Sequence, residues 1–271
     1  MNKIAVIMSL YKNDQLRFVK MAVESVLNQT VKDFDFYIQY DGPIKQKVDE
    51  YLSKIKDERV KIQRREENKG LAHSLNDLLT IVMPLHYEYI ARMDADDINE
   101  LNRFERQLAY FEQHPKVECL GTCAVEINSQ GDEFYRKYMP ETHEECDEMF
   151  HKRDCMIHPT VMFRRAYIEK AGLYSLDTYF GEDTMMWAQG FAAGCVFGNV
   201  PEFLFRFRLD DNFFTRRRGW KHAKAIFLLR HKVNKMLHYG ALADLWALMY
   251  ATAKMMPTVI LRFIYKNARN A

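Results

Sequence analysis

Three aspartates stand within four residues, in Met93-Asp94-Ala95-Asp96-Asp97, directly after an apolar run that predicts a strand. Carboxylates this close repel one another unless a cation or solvent screens them. Mg²⁺ and Mn²⁺ are commonly held by one or two carboxylates, while phosphate and water oxygens fill the other positions. The segment therefore predicts a divalent metal site that receives a phosphate-bearing ligand. The alternative is a solvated turn in which Asp97 caps the next helix.

A second acidic pair, Glu182-Asp183, follows Gly181 at the predicted start of a helix. The helix dipole and the free N–H groups of a first turn favour a carboxylate at this position. In a cleft, such a carboxylate can take a proton from a substrate hydroxyl. The alternative is an ordinary helix cap.

Two further side chains follow predicted strands. Tyr11 comes after the first strand, where an aromatic ring can stack on a nucleotide base, and Asp41 comes after the second, where a carboxylate can accept a base N–H. The alternatives are a tyrosine at the edge of the core and an aspartate that begins the turn at Gly42.

An alternating strand–helix pattern positions these side chains. Apolar runs predict strands at 3–8, 34–40, 60–63 and 87–92, and helical spacing of apolar residues predicts helices at 14–28, 44–55 and 70–82. Such alternation is typical of an α/β fold with a mostly parallel sheet and helices on both faces. Ligands of these sheets bind at the carboxyl ends of the strands. The predicted site lies at that edge.

The second half of the chain departs from simple alternation. Extended segments at 117–128 and 133–138 flank Ser129-Gln130-Gly131 and predict a hairpin, hence a mixed sheet. Helices are predicted at 101–114, 141–151, 182–193 and 213–239, a strand at 160–163, and extended segments at 195–200 and 203–208. We expect one catalytic domain, residues 1–211, and a helical tail, residues 212–271.

The composition excludes several classes of protein. The chain has 271 residues, of which 48% are hydrophobic and 13% aromatic, so it can bury a full core and is neither disordered nor fibrous. Five cysteines without a CxxC pair and a start without a signal-peptide pattern predict reduced thiols in the cytoplasm.

The net charge of +2 conceals an acidic body and a basic tail. Residues 212–271 carry 12 Lys/Arg and a single acidic residue, Asp244, whereas residues 1–211 carry 27 Lys/Arg and 36 Asp/Glu. The apolar residues after position 240, with a longest uncharged run of nine (245–253), are too few to span a bilayer and predict an interfacial amphipathic helix kinked at Pro257. We expect an anionic membrane surface as the partner of the tail; packing on the body or a homodimer contact is the alternative.

The ordered motifs resemble those of glycosyltransferase family 2, whose fold is called GT-A, and most of all its bacterial members that build capsule, exopolysaccharide or O-chains. The resemblance covers residues 3–210. The matching segments are Ile7-Met8-Ser9-Leu10-Tyr11-Lys12-Asn13, Ser25-Val26-Leu27-Asn28-Gln29-Thr30, Tyr40-Asp41-Gly42, Glu67-Asn68-Lys69-Gly70-Leu71-Ala72, Leu75-Asn76, Ala91-Arg92-Met93-Asp94-Ala95-Asp96-Asp97, Arg103-Phe104-Glu105-Arg106-Gln107, His158-Pro159-Thr160-Val161-Met162 and Gly181-Glu182-Asp183.

The resemblance implies roles for some of these residues. Asp183 would be the catalytic base, and Asp94 and Asp96 would hold Mn²⁺ or Mg²⁺. The donor, a nucleotide-sugar and in our expectation a UDP-sugar, would contact Ser9, Leu10, Tyr11, Asp41, Asn68, Gly70, Arg92 and Asp94. His158, Glu182 and Trp187 are candidates for the acceptor side.

The resemblance further implies inverting transfer of a single sugar to a lipid-linked saccharide at the inner face of the cell membrane. The QxxRW signature of processive members is absent from the sequence, and Leu75 stands where the family often has Arg.

Two other function classes remain open at this point. A nucleotidyltransferase on a similar fold usually shows a GxGxR loop, but Ser9-Leu10-Tyr11-Lys12 follows the first strand here. A non-catalytic membrane or nucleic-acid module would use the basic residues 212–239. The carboxylates Asp94, Asp96 and Asp183 argue against such a module, and we expect no nucleic-acid partner.

Overall fold

The computed structural model describes residues 3–178, 180–209 and 219–256. Within these residues, nine strands form one mixed sheet. They are β1 (Ile4–Leu10), β2 (Phe34–Tyr40), β3 (Val60–Arg64), β4 (Tyr89–Met93), β5 (Ile98–Asn99), β6 (Val117–Ile127), β7 (Glu133–Lys137), β8 (Met162–Arg164) and β9 (Val196–Arg208). The order is β3-β2-β1-β4-β8-β6-β9-β5, and β7 pairs with β6.

The strands β3, β2, β1 and β4 are parallel, as the alternation predicted. Strand β8 is antiparallel to both β4 and β6, and β6 is antiparallel to β7, so the sheet is mixed. The hairpin predicted around Ser129-Gln130-Gly131 is confirmed. Because β1, β2 and β4 run the same way, Leu10, Tyr40 and Met93 end at one edge of the sheet.

The described helices are α1 (Leu16–Leu27), α2 (Gln46–Ser53), α3 (Leu71–Val82), α4 (Arg103–Gln113), α5 (His143–Phe150), α6 (Arg165–Ala171), α7 (Glu182–Ala192), α8 (Trp220–Met236) and α9 (Ala241–Ala253). They cover both faces of the sheet. Alternate residues of β1 illustrate this: Val6 and Met8 pack in one core with α1, α2 and α4, whereas Ile7 packs in the other with α3, α5, α6 and α7. An apolar strand buried on both faces is typical of a parallel sheet between helix layers.

Several details differ from the expectations. Helix α1 begins at Leu16 rather than at residue 14, which leaves Asp14 in the loop after β1. The segments expected at 195–200 and 203–208 form one strand, β9, in which Pro201 and Glu202 make a bulge against β6. Such bulges accommodate a proline that cannot donate to the ladder. Helix α6 was not predicted.

The described part of the tail packs on the body. Val233 of α8 is fully buried in the same core as α7, and Tyr239 Oη donates to Asp147 Oδ1 at 2.7 Å. Helix α9 packs on α8 through Ala243, Ala247 and Ala251. Residues 213–218 of the predicted basic helix and the predicted kink at Pro257 lie outside the described residues. The partition into 1–211 and 212–271 stays a prediction.

Candidate active site

The aspartate segment follows β4 and is tied to β9 through Asp97. Asp97 is fully buried, and its Oδ1 accepts a hydrogen bond from Arg208 N at 2.6 Å. Burial, followed by the charges of Asp96 and Asp94, raises the pKa of Asp97 well above its ordinary value. The alternative in which Asp97 caps the next helix is wrong, since Asn102 occupies the N-cap of α4. Asp97 therefore anchors the segment and leaves Asp94 and Asp96 at the sheet edge.

Arg92, the last but one residue of β4, is fully buried and forms an ion pair with the half-buried Asp94. Its Nε and Nη2 atoms are buried and have no hydrogen-bond partner among the described residues. The pair places a fixed positive charge beneath the first aspartate of the segment.

Asp14 joins the aspartates and was missed by sequence reasoning. Its Oδ2 accepts a hydrogen bond from Tyr11 N at 2.8 Å, in the loop after β1. Burial raises the pKa of Asp14 to about 7, and the charges of Asp96 and Asp94 add to the rise. Desolvation by the surrounding protein, followed by the charge of Asp94, raises the pKa of Asp96 to about 6, although the residue remains exposed to solvent. At the carboxyl ends of β1 and β4, these three carboxylates are thus near enough for their charges to interact.

These carboxylates suit a hard cation. Added positive charge would lower both raised pKa values, and carboxylate oxygen is the donor that Mg²⁺ and Mn²⁺ prefer. Among residues 3–178, 180–209 and 219–256, no group of three or more His, Cys, Asp or Glu side chains is arranged as a complete metal site. A bound ion would therefore take oxygens from Asp94 and Asp96 and from the phosphates of a ligand.

Asp41 organises the adjoining loop. Its buried carboxylate forms an ion pair with Arg65 and accepts from Lys69 N at 2.8 Å, Gly70 N at 2.9 Å and Asn68 Nδ2 at 2.9 Å. These bonds hold the loop against the end of β2. Two residues of the loop, Asn68 and Gly70, are among those predicted to contact the nucleotide-sugar.

Gly42 lets the loop approach this closely. Its φ is +77°, and a Cβ at this position would lie 2.7 Å from Asn68 N. A contact of Asp41 with a nucleotide base stays a prediction.

The end of β1 carries the other predicted donor residues. Tyr11 is 37% exposed, Ser9 is half-buried, and Leu10 is buried with its carbonyl accepting from Asp41 N at 2.7 Å. Tyr11 is therefore the ring that a base could reach at this edge.

Asp183 lies in the first turn of α7, after Gly181 with φ +82°. Its Oδ1 accepts from Thr184 N at 2.8 Å. Burial raises the pKa of the nearby Tyr174, the charge of Arg92 lowers it, and the charges of Asp183 and Glu182 raise it further. The charges of Arg92 and of the predicted base, Asp183, therefore both act on the buried Tyr174 side chain.

His158 and Trp187 contact each other in the core. His158 Nε2 is 2.9 Å from Tyr174 Oη, and burial together with Arg92 lowers the pKa of His158 well below its ordinary value, so the imidazole is neutral. Trp187 is fully buried with its ring edge-on to His158. Both side chains are buried in the core, and an acceptor contact of either residue stays a prediction.

Comparison with known proteins gives the class. The model of the family described as "Glycosyl transferase family 2" matches residues 5–172, so the chain belongs to glycosyltransferase family 2. The α/β GT-A fold expected from the motifs is confirmed by the sheet and by similar solved structures.

One of these is mannosyltransferase PcManGT of Pyrobaculum calidifontis in complex with GDP-Man and Mn²⁺. Its TM-score with this protein is 0.64, and the two sequences are 14% identical. The match covers 100% of this chain and 81% of that one.

Two curated relatives cover nearly the whole chain. The amylovoran biosynthesis glycosyltransferase AmsE of Erwinia amylovora is 27% identical over 267 residues, 98% of each protein. The UDP-Gal:alpha-D-GlcNAc-diphosphoundecaprenol beta-1,3-galactosyltransferase of Escherichia coli is 26% identical over 269 residues, 97% of this chain and 95% of the relative. Within the described ranges, no helix combines the length and apolarity needed to cross a membrane.

Proposed function

We propose that this glycosyltransferase moves one hexosyl or N-acetylhexosaminyl group from a UDP-sugar to a lipid-linked saccharide, with inversion, in surface polysaccharide biosynthesis. The observation that carries the proposal is that Asp14 follows β1 while Asp94 and Asp96 follow the neighbouring parallel strand β4, so that their charges act on one another at one edge of the sheet. The family assignment favours sugar transfer over nucleotidyl transfer and over a non-catalytic module.

The donor would lie along the ends of β1, β2 and β4. Tyr11 would stack on the base, and Asp41 with its loop would read the base edge. Asp94 and Asp96 would hold Mn²⁺ or Mg²⁺, which when bound supplies positive charge to offset the charge on a departing diphosphate. The UDP donor is inferred from the Escherichia coli relative, whose name specifies UDP-Gal.

Asp183 would act as the general base. The acceptor oxygen forms a bond to the anomeric carbon while the bond from that carbon to the diphosphate oxygen breaks. The hydroxyl proton passes to Asp183, and the nucleoside diphosphate leaves with the bonding pair. One displacement from the far face inverts the anomeric centre, through a state with oxocarbenium character.

The test is a panel of sugar nucleotides scored by release of UDP, GDP or dTDP in Mn²⁺, Mg²⁺ and EDTA. We expect the highest turnover with a UDP-sugar and none in EDTA. Asp183→Asn should lower kcat at least ~10²-fold with donor KM unchanged, and Asp96→Asn should abolish metal-dependent turnover. Asp33→Asn, an exposed carboxylate at the opposite edge of the sheet, is the control. Full activity in EDTA contradicts the metal assignment.

An anionic membrane is the proposed partner of the tail. Helix α9 turns its alanines toward α8 and exposes its large apolar side chains: Leu242, Leu245, Trp246, Leu248, Met249 and Tyr250. An exposed apolar surface of this kind marks an interaction site. Anionic lipid attracts each nearby Lys or Arg by about 1 kcal/mol, so the basic tail and the apolar helix would together hold the cytoplasmic enzyme at the inner face, beside a lipid-linked acceptor.

Liposome sedimentation distinguishes a membrane from a second copy of the chain. Full-length protein should pellet with vesicles rich in phosphatidylglycerol and be partly released by high salt. The double variant Leu242→Ser/Trp246→Ser should remain in the supernatant. Leu101→Ser, which changes an exposed leucine of the body, should behave as wild type. If the protein does not pellet at low salt, and if light scattering shows a dimer that the double variant dissociates, the membrane proposal is wrong. The exposed face of α9 would then be a homodimer contact.

A further inference from the structure

Helix α8 reaches the first turn of α7 through a partly buried chain of hydrogen bonds. Arg230 of α8 is 6% exposed, and its Nη2 donates to Asp154 Oδ1 at 2.9 Å. Asp154 in turn accepts from Thr184 Oγ1, at 2.9 Å to Oδ1 and 3.1 Å to Oδ2. Thr184 N is the donor that binds Asp183 Oδ1. Three residues, Arg230, Asp154 and Thr184, thus link the tail to the carboxylate of Asp183.

The same helix closes the turn from its other side. Gly181 adopts φ +82°, and a Cβ on Gly181 would overlap Leu229 Cδ2 of α8. Leu229 and Arg230 are neighbours in the chain, so one turn of α8 both packs on Gly181 and binds Asp154. Helix α8 therefore acts on the turn that carries Glu182 and Asp183 at two points, directly at Gly181 and through Asp154 at Thr184.

Arg230 is itself fixed. Its Nη1 donates to Phe150 O at 3.1 Å, and its guanidinium lies 5.1 Å from the centroid of the Phe150 ring. A planar fork that binds a carboxylate and a carbonyl together loses little freedom for each hydrogen bond. A lysine has a single ammonium group and does not reproduce this geometry.

We infer that Arg230, Asp154 and Thr184 are positioning residues that hold Asp183 in the orientation needed to accept the acceptor proton, so that α8 is part of the catalytic unit. This inference rests on the proposed function, in which Asp183 is the base. Its physical basis is that a base displaced by about 1 Å can lose as much as 10²-fold in rate. The three residues touch neither donor nor acceptor in this proposal.

Thr184→Val and Arg230→Met test the inference with the sugar nucleotide that gives the highest turnover in the panel, at saturating Mn²⁺. Each should lower kcat about 10-fold or more and leave the donor KM unchanged. The double variant should be no slower than the slower single variant, because both act through Asp154. Thr184→Ser, which keeps the hydroxyl, should restore kcat.

Matched controls remove the same groups elsewhere. Thr80→Val deletes an exposed hydroxyl of α3, and Arg106→Met deletes an exposed arginine that pairs with Glu202. Both should keep wild-type kcat. Hydrogen exchange gives a measurement that needs no donor: Arg230→Met should speed exchange of the Thr184 amide about 10-fold and leave the amides of β1 and β4 unchanged.

The outcomes separate the two proposals. If Asp183→Asn retains turnover, the proposed base is wrong, whatever Arg230 does. If Asp183→Asn loses turnover while Thr184→Val and Arg230→Met keep it, the positioning inference alone fails. Multiplicative losses in the double variant, a lower melting temperature with unchanged kcat, or unchanged exchange at Thr184 would also overturn the inference.

Discussion

Asp14→Asn should make the metal-free protein more stable, and more so as the pH rises. Asparagine is nearly isosteric and can still accept the hydrogen bond from Tyr11 N. A rise in the pKa of Asp14 from its ordinary 3.8 to about 7 corresponds to about 4 kcal/mol against the ionised form, at 1.36 kcal/mol per pH unit. Asp14 is only half-buried, and we expect solvent to screen roughly half, leaving about 2 kcal/mol at pH 8.

The sign follows from proton linkage. Between pH 3.8 and about 7 the folded protein holds a proton on Asp14 that the unfolded chain has released, so stability falls with rising pH across this window. The advantage of asparagine should therefore be a few tenths of a kcal/mol at pH 4 and about 2 kcal/mol at pH 8.

Urea unfolding in EDTA at the two pH values, followed by tryptophan fluorescence, measures the effect. The exposed Asp33→Asn, measured at the same two pH values, is the control for removing a surface carboxylate. An advantage equal at pH 4 and pH 8, or a less stable variant at pH 8, would refute the reasoning.

Three further changes have calculable outcomes. Because the pKa of Asp96 is about 6, Mn²⁺ must displace a proton at low pH, and calorimetry should find its affinity about tenfold lower at pH 5 than at pH 7. Gly181→Ala forces a side chain into positive φ against Leu229 and should lower stability by about 2 kcal/mol, or the melting temperature by about 5 °C in calorimetry. Asp41→Ala leaves Arg65 and the loop amides without their acceptor and should lose about 3 kcal/mol in urea unfolding, together with UDP binding in a fluorescence titration.

The parallel half of the fold could be predicted from the sequence because each of its elements is long and regular in pattern. Strand β1 is a continuous apolar run, and α1 has apolar residues at helical spacing. Helix α6 escaped prediction because it has seven residues, buries only Tyr167 and Ile168, and follows β8 without a loop. So short a helix is stabilised by its tertiary contacts rather than by its own sequence.

Most residues of the candidate site could likewise be predicted from the sequence, but one could not. Asp94, Asp96 and Asp183 could be found because each stands at the end of a strand or the start of a helix, where local sequence indicates access to a ligand. Asp14 was missed because its spacing looked like the first turn of α1, and only the start of the helix at Leu16 leaves it beside Asp94 and Asp96.

Composition also distinguishes a basic tail from an acidic body, but it does not show which charged side chains are buried. On α8 the four lysines, Lys221, Lys224, Lys232 and Lys235, are exposed, whereas Arg230 is buried. Arginine is the residue that tolerates burial when a carboxylate can take its fork, and Asp154 stands 76 residues away in the chain. No local pattern connects those two positions, so the sequence shows the charge of the helix while only the fold shows that one of its charges faces the turn of Asp183. If that contact orients the base, the charge boundary near residue 212 divides two surfaces of one catalytic unit.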